Sequence, residues 1–195
     1  YDVDIYREVG ASNIIYLDKR KLNKYQTKMD FSGVGVKILE PEAELLAIIA
    51  HSVIPTQLFT LFVYYATLHY LAMDDFNVSR FIRIAKENNV TFPVKVHCSL
   101  TAMLHKTAYG FVPEKNEEIL RELGNQSRET ESLFGNNFKM PHRYSLSAIM
   151  RSLLEKTKEH EFRRSVAKQV VSMRSPKFAK WVISNIIERR KRETY

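Results

Sequence analysis

The sequence predicts an α+β chain dominated by helix, with a small N-terminal β-sheet in residues 1–39 followed by a helical bundle. Three observations predict it. Residues 1–6, Tyr-Asp-Val-Asp-Ile-Tyr, alternate apolar and polar as a strand does, and further β-prone runs lie at 13–17 and 31–39. From Pro41 onward apolar residues recur at helical spacing, cut at intervals by proline, glycine and asparagine. With 195 residues, 45% apolar and 27% charged, the chain can bury a full core of this kind.

In chain order, 1–6 is the first strand and 13–17 the second. Residues 18–28, rich in basic side chains, read as loop or a short helix, and 31–39 as a third strand containing Gly33 and Gly35. Glu40-Pro41-Glu42 is a helix start. Proline suits the first helical position, where its missing N–H would be unpaired anyway, and acids favour the positive end of the helix dipole. Leu45, Leu46, Ile48, Ile49, Val53 and Ile54 continue that helix until Pro55 is expected to end it. A second helix from about Thr56 is apolar on nearly every side, which predicts burial by several neighbours and a core centred on this hairpin. Asn77 caps the next helix and Asn88-Asn89 ends it. Pro93 starts another that Gly110 closes, and 113–123 is a short amphipathic helix ended by Gly124. The polar stretch 125–137 reads as a loop. Ser145 caps a helix to about Lys156, a second runs from about Glu159 to Met173, and Ser175-Pro176 begins the last. The organisation is therefore 1–39 sheet, 40–138 central helical bundle and 139–195 basic helices.

The charge is uneven. Residues 139–195 hold fifteen Lys and Arg against five Asp and Glu, whereas 1–138 hold fifteen against seventeen, which together give the net +8. A basic third beside a slightly acidic remainder fits a polyanionic partner, with Arg143, Arg151, Arg163, Arg164, Lys168 and Lys180 as its candidate contacts. A solvated helix face explains the same charges, and the sequence leaves both readings open. The single cysteine, Cys98, excludes an internal disulfide framework and fits a cytoplasmic protein, with the thiol read as a small buried apolar group. No charge-free apolar run is long enough to span a bilayer, so no membrane partner is expected.

Motifs for chemistry are sparse. There is no GxxxxGK[ST], no GxGxxG after a strand, no HExxH and no paired CxxC. His51 shares a helix face with Glu44, Ala47 and Ile48, either as a core-edge imidazole or as a substrate contact. Tyr64 and Tyr65 are core tyrosines or base-stacking groups. Asp2 and Asp4 fall on one face of the first strand, which on the residues alone reads first as an exposed edge-strand face and second as two carboxylates that can hold Mg²⁺ and clamp phosphates.

The segments VDIYREVGASNIIYLD and GVGVKILEPEAELLAIIAHSVIPTQLFTLFVYYATLHYL resemble archaeal nucleotidyltransferases of the DNA polymerase beta superfamily. These are relatives of the bacterial abortive-infection toxin nucleotidyltransferases. The resemblance implies a polymerase-beta-like sheet, with Asp4 in Val3-Asp4-Ile5 as the third metal-binding carboxylate and Glu8 nearby. Pro41, Glu42, Leu45, Leu46 and His51 match the helix behind the site. It implies transfer of a nucleotide from an NTP to an RNA (tRNA included) or protein acceptor, with Mg²⁺ or Mn²⁺ as cofactor, His51, Tyr64 and Tyr65 toward the nucleotide, and a cognate antitoxin as a further partner. The family's Gly-Ser motif is absent from 1–195. It lies upstream of Tyr1, where part of the fold is expected, or directly precedes Asp2 and Asp4 as the D-x-D pair, or catalysis has been lost. A non-catalytic nucleic-acid-binding module and a structural, protein-binding helical domain are the two alternative readings.

Overall fold

Pro41 opens the helix around which the molecule packs. In a computed structural model, which describes residues 9–11, 14–124, 139–172, 174, 180 and 184, this helix, α2, spans Pro41–His51. Leu45, Leu46 and Ile49 on it are fully buried. Such side chains each contribute about 1.5–3 kcal/mol on leaving water. The buried Glu42 carboxylate accepts from the Asn77 N–H (2.9 Å), which ties the first turn of α2 to the start of α4, Val78–Glu87. Asn77 itself caps α4 by accepting from the Arg80 N–H (2.8 Å), as its position in the sequence suggests.

Among the described residues ahead of α2 lie four strands: β1, Val9–Ala11, β2, Ile14–Leu17, β3, Gln26–Phe31, and β4, Val34–Leu39. A short helix, α1, Lys19–Leu22, separates the pairs. They form two antiparallel two-stranded sheets, β1–β2 and β3–β4, where one sheet is expected; the strand expected at 1–6 lies outside the described residues. The run 31–39, read as one strand, turns back at Ser32-Gly33. Both residues have positive φ (54° and 82°), the geometry of a tight hairpin, and the Gly33 N–H is held by Asp30 (2.9 Å). The strand at 26–31 escapes the sequence reading because its polar face, Gln26, Lys28 and Asp30, looks like loop.

Pro55 does not end the helix cleanly. Residues Ser52–Thr56 widen into a π turn that accommodates the missing proline N–H, and Gln57 reverses the chain in the left-handed region (φ 60°). Leu58–Phe59 then forms β5 rather than the start of a helix. The helix α3, Leu61–Ala72, begins only at the Thr60 cap. It is not buried all round. Val63, Tyr64, Thr67 and Leu71 turn inward, but Leu61, Phe62 and Tyr65 are 52%, 75% and 56% exposed. The apolar helix that is covered on several sides is instead α5, Thr91–Tyr109, where Val94, His97, Cys98, Leu100 and Ala102 are all fully buried. It packs against α2, α4, α6, Glu114–Glu122, and α7, Leu146–Lys156.

The two residues of β6, His142–Arg143, pair antiparallel with β5, a small strand pairing in a region expected to be almost wholly helical. Ser145 caps α7 as expected, accepting from the Ala148 N–H (3.2 Å). The last described helix, α8, His160–Ser172, packs on β2, where the Ile15 N–H donates to the buried Ser165 hydroxyl (3.1 Å). The fold is thus α+β with helix dominant. Among the described residues no helix is long and apolar enough to cross a membrane.

Candidate functional site

The face of α2 that carries Glu44, Ala47, Ile48 and His51 stays open. Together with Leu39 of β4 and Thr60, Phe62 and Val63 at the start of α3, it lines a groove of about 580 Å³. The Tyr70 hydroxyl on α3 lies toward the Glu44 carboxylate, and burial, then that carboxylate, push the phenol pKa up. His51 sits exposed at the C-terminal end of α2 and lines the same groove. The described lining carries one carboxylate and no lysine or arginine, so its chemistry suits an uncharged or apolar group better than a phosphate.

Tyr64 and Tyr65, neighbours in sequence, part company in space. Tyr64 is buried and its hydroxyl pairs with His105 Nδ1 at 2.8 Å, while Tyr65 lies edge-on against it with centroids 5.1 Å apart and more than half of its surface in water. Neither lines the groove with His51.

Between α3, α5 and β6 runs a buried polar chain that the sequence does not announce. The Thr67 hydroxyl donates to the Val63 carbonyl (2.8 Å), so its oxygen accepts from His97 Nε2–H (2.8 Å). His97 Nδ1 is then bare and accepts the Tyr144 hydroxyl proton (2.8 Å). Ser52 completes the chain, 3.3 Å from the Tyr144 oxygen, and gives its own proton to the Leu58 carbonyl (2.7 Å). Burial pushes the His97 pKa down to about 3, so the imidazole is neutral and both of its nitrogens are satisfied. This is a structural histidine. Cys98, one residue on, is equally buried, and burial pushes its thiol up to about 12, which leaves it without nucleophilic character.

The basic third has an ordered internal logic. Its described acids all turn toward the body. The Glu155 carboxylate accepts from the Thr91 and Phe92 N–H groups (3.1 and 2.8 Å) and so caps α5 from outside that helix. Glu159 pairs with Lys21 (2.6 Å), and Glu161 with Arg20 (3.4 Å). The buried Lys156 ammonium donates to the Asn88 carbonyl at the end of α4 (2.6 Å). Outward, Arg164 and Lys168 share one side of α8 and line a shallow depression with Val171. Arg163 bends back to the Thr157 carbonyl (3.1 Å), Arg151 lies over the Phe92 ring (5.4 Å), and Arg143 stands on β6. All of these, and Lys180, are exposed.

Asp2 and Asp4, the expected metal ligands, lie outside the described residues, as does Glu8. Among the described residues no group of three or more His, Cys, Asp or Glu stands where it could hold a metal ion. No family model matches the chain, and neither a curated protein nor a solved structure matches it.

Proposed function

We propose that this chain is the helical, polyanion-holding body of a nucleotidyltransferase-type protein, with an RNA held along α8. One observation carries the reading: Glu155, Glu159 and Glu161 are all engaged with the body, while Arg164 and Lys168 lie exposed on one side of α8 and pair with none of those three acids. Guanidinium and ammonium groups arranged this way neutralise phosphates and release counterions, which gives affinity without base specificity. Arg164 and Lys168 are the first contacts, on one side of one helix.

The resemblance supplies the second half of the reading, transfer of a nucleotide from an NTP. That chemistry rests on Asp4, with Asp2 as the less favoured partner, and on Mg²⁺ or Mn²⁺, which would neutralise charge on the transferring phosphate. Asp2, Asp4 and Glu8 lie outside the described residues, among which no group of three or more His, Cys, Asp or Glu could hold a metal ion. The contribution of the described residues is to bind and position the acceptor.

The test is incubation of the chain, and of the same chain extended upstream, with Mg²⁺, labelled NTPs and total RNA. Label appearing on RNA supports transfer. Salt-dependent RNA binding with no label supports the non-catalytic binding module, and neither result sinks both.

A further inference from the structure

Two aromatic rings with more than half of their surface in water stand against one imidazole, and a third joins them through Tyr64. Tyr65 on α3 is 56% exposed, and Tyr109 and Phe111 at the end of α5 are each 58% exposed. His105 is 9% exposed, with its ring centroid 4.7 Å from both Tyr109 and Phe111. Gly110 makes the arrangement possible. Its φ of 84° turns the chain between the two aromatic residues so that both come back to the same histidine, tilted at 37° on one side and edge-on at 83° on the other. Tyr64 fixes the histidine through its 2.8 Å hydrogen bond to Nδ1 and also backs Tyr65. The rings therefore form one platform that crosses from α3 to the turn after α5. His105 Nε2, buried, has no hydrogen-bond partner among the described groups. A chain that exposes such rings together over an unpaired nitrogen leaves an interaction unmade.

Cations border the platform. Lys106 and Arg121 line a cavity of about 680 Å³ between α5 and α6, beside Met103, Val112 and Glu117. Lys106 is one turn before Tyr109 on the same helix, and Val112 directly follows Phe111. Flat rings next to an ammonium and a guanidinium match a single-stranded nucleic acid, whose unpaired bases offer π-faces and whose phosphates seek the cations. A duplex keeps its bases within its own stack and cannot use the rings.

We infer that the Tyr65, Tyr109 and Phe111 platform stacks unpaired bases of single-stranded RNA, while Lys106 and Arg121 hold the flanking phosphates. This deepens, and rests on, the reading of the chain as an RNA-holding body.

Fluorescence anisotropy with a labelled twelve-nucleotide oligouridine and with a twelve-base-pair RNA duplex tests it at one fixed ionic strength. Wild type is expected to favour the single strand. The double variant Tyr109→Ala/Phe111→Ala is expected to lose about tenfold or more for the single strand, since each stacked base is worth that much, and less than about twofold for the duplex. Tyr109→Phe keeps a ring and is expected to keep the affinity. Should the double variant melt early by circular dichroism, Tyr65→Ala, a single exposed change on another helix, takes its place with the same expectation. Equal affinity for both RNAs, or single-strand binding untouched by loss of the rings, overturns the platform and leaves the α8 reading standing, because Arg164→Glu/Lys168→Glu would still weaken both RNAs. No binding of either RNA by wild type overturns both.

Discussion

His97 and Tyr144 are joined by a 2.8 Å hydrogen bond in which the phenol donates and the imidazole Nδ1 accepts, 47 residues apart in sequence and wholly out of water. The bond locks the β6–α7 junction onto α5. Tyr144→Phe preserves the ring but leaves Nδ1 with an unmade bond. It is expected to cost about 1–3 kcal/mol, read as a lower urea midpoint with an unchanged slope.

The same histidine gives the fold an acid limit. Its pKa is about 3 in the folded chain against an ordinary 6.5, so below pH 6.5 the unfolded state takes up a proton that the folded state refuses. Stability from this group is full above pH 6.5 and falls as pH drops toward 3, by at most about 1.4 kcal/mol per pH unit. Urea titrations of wild type and His97→Gln at several pH values read the difference. The variant, although less stable, is expected to show a shallower acid slope, and parallel slopes would contradict the assignment.

Lys156 acts in the same direction in a more alkaline window. Burial pulls its pKa from 10.5 down to about 8, with Glu159 pulling back. Between those values the unfolded state holds a proton that the folded state has lost, so stability rises with pH across the window. Lys156→Met is expected to flatten that rise relative to wild type, measured by thermal melts from pH 7.5 to 10.5.

Glu155 is the N-terminal cap of α5 although it belongs to α7. Glu155→Ala strands two amide donors at a half-buried helix end, and a loss of about 1–3 kcal/mol is expected by chemical denaturation. Glu155→Gln keeps an acceptor oxygen and is expected to lose less.

Much of the helical frame is legible from local signals. Pro41, Asn77, Gly110, Gly124 and Ser145 mark helix ends in the sequence and in space alike, because caps depend on the few residues around them. What depends on distant partners is not legible. Nothing local says that Glu155 caps another helix, or that His97 finds Thr67 on one side and Tyr144 on the other. Periodicity also misjudges α3, since an apolar helix reads as buried even when one of its faces is left bare, as Leu61, Phe62 and Tyr65 are. Of the site residues, the shared face of Glu44, Ala47, Ile48 and His51 follows from helical spacing and does line a groove. The pairing of Tyr109 and Phe111 over His105 does not follow from spacing, since it needs the left-handed turn at Gly110 as well as the neighbouring helix. The inward turn of Glu159 and Glu161 is equally hidden, because Lys21 and Arg20 come from the other end of the chain.

The central claim, that α8 presents cations to a polyanion, is tested most directly by RNA affinity as a function of salt for wild type and Arg164→Glu/Lys168→Glu. The logarithm of the binding constant is expected to fall linearly with the logarithm of salt concentration. The double reversal is expected to weaken binding about tenfold or more at low salt and to reduce the slope by about one to two units, one for each phosphate that is no longer neutralised. Binding that ignores salt, or an unchanged slope in the reversed variant, would contradict it.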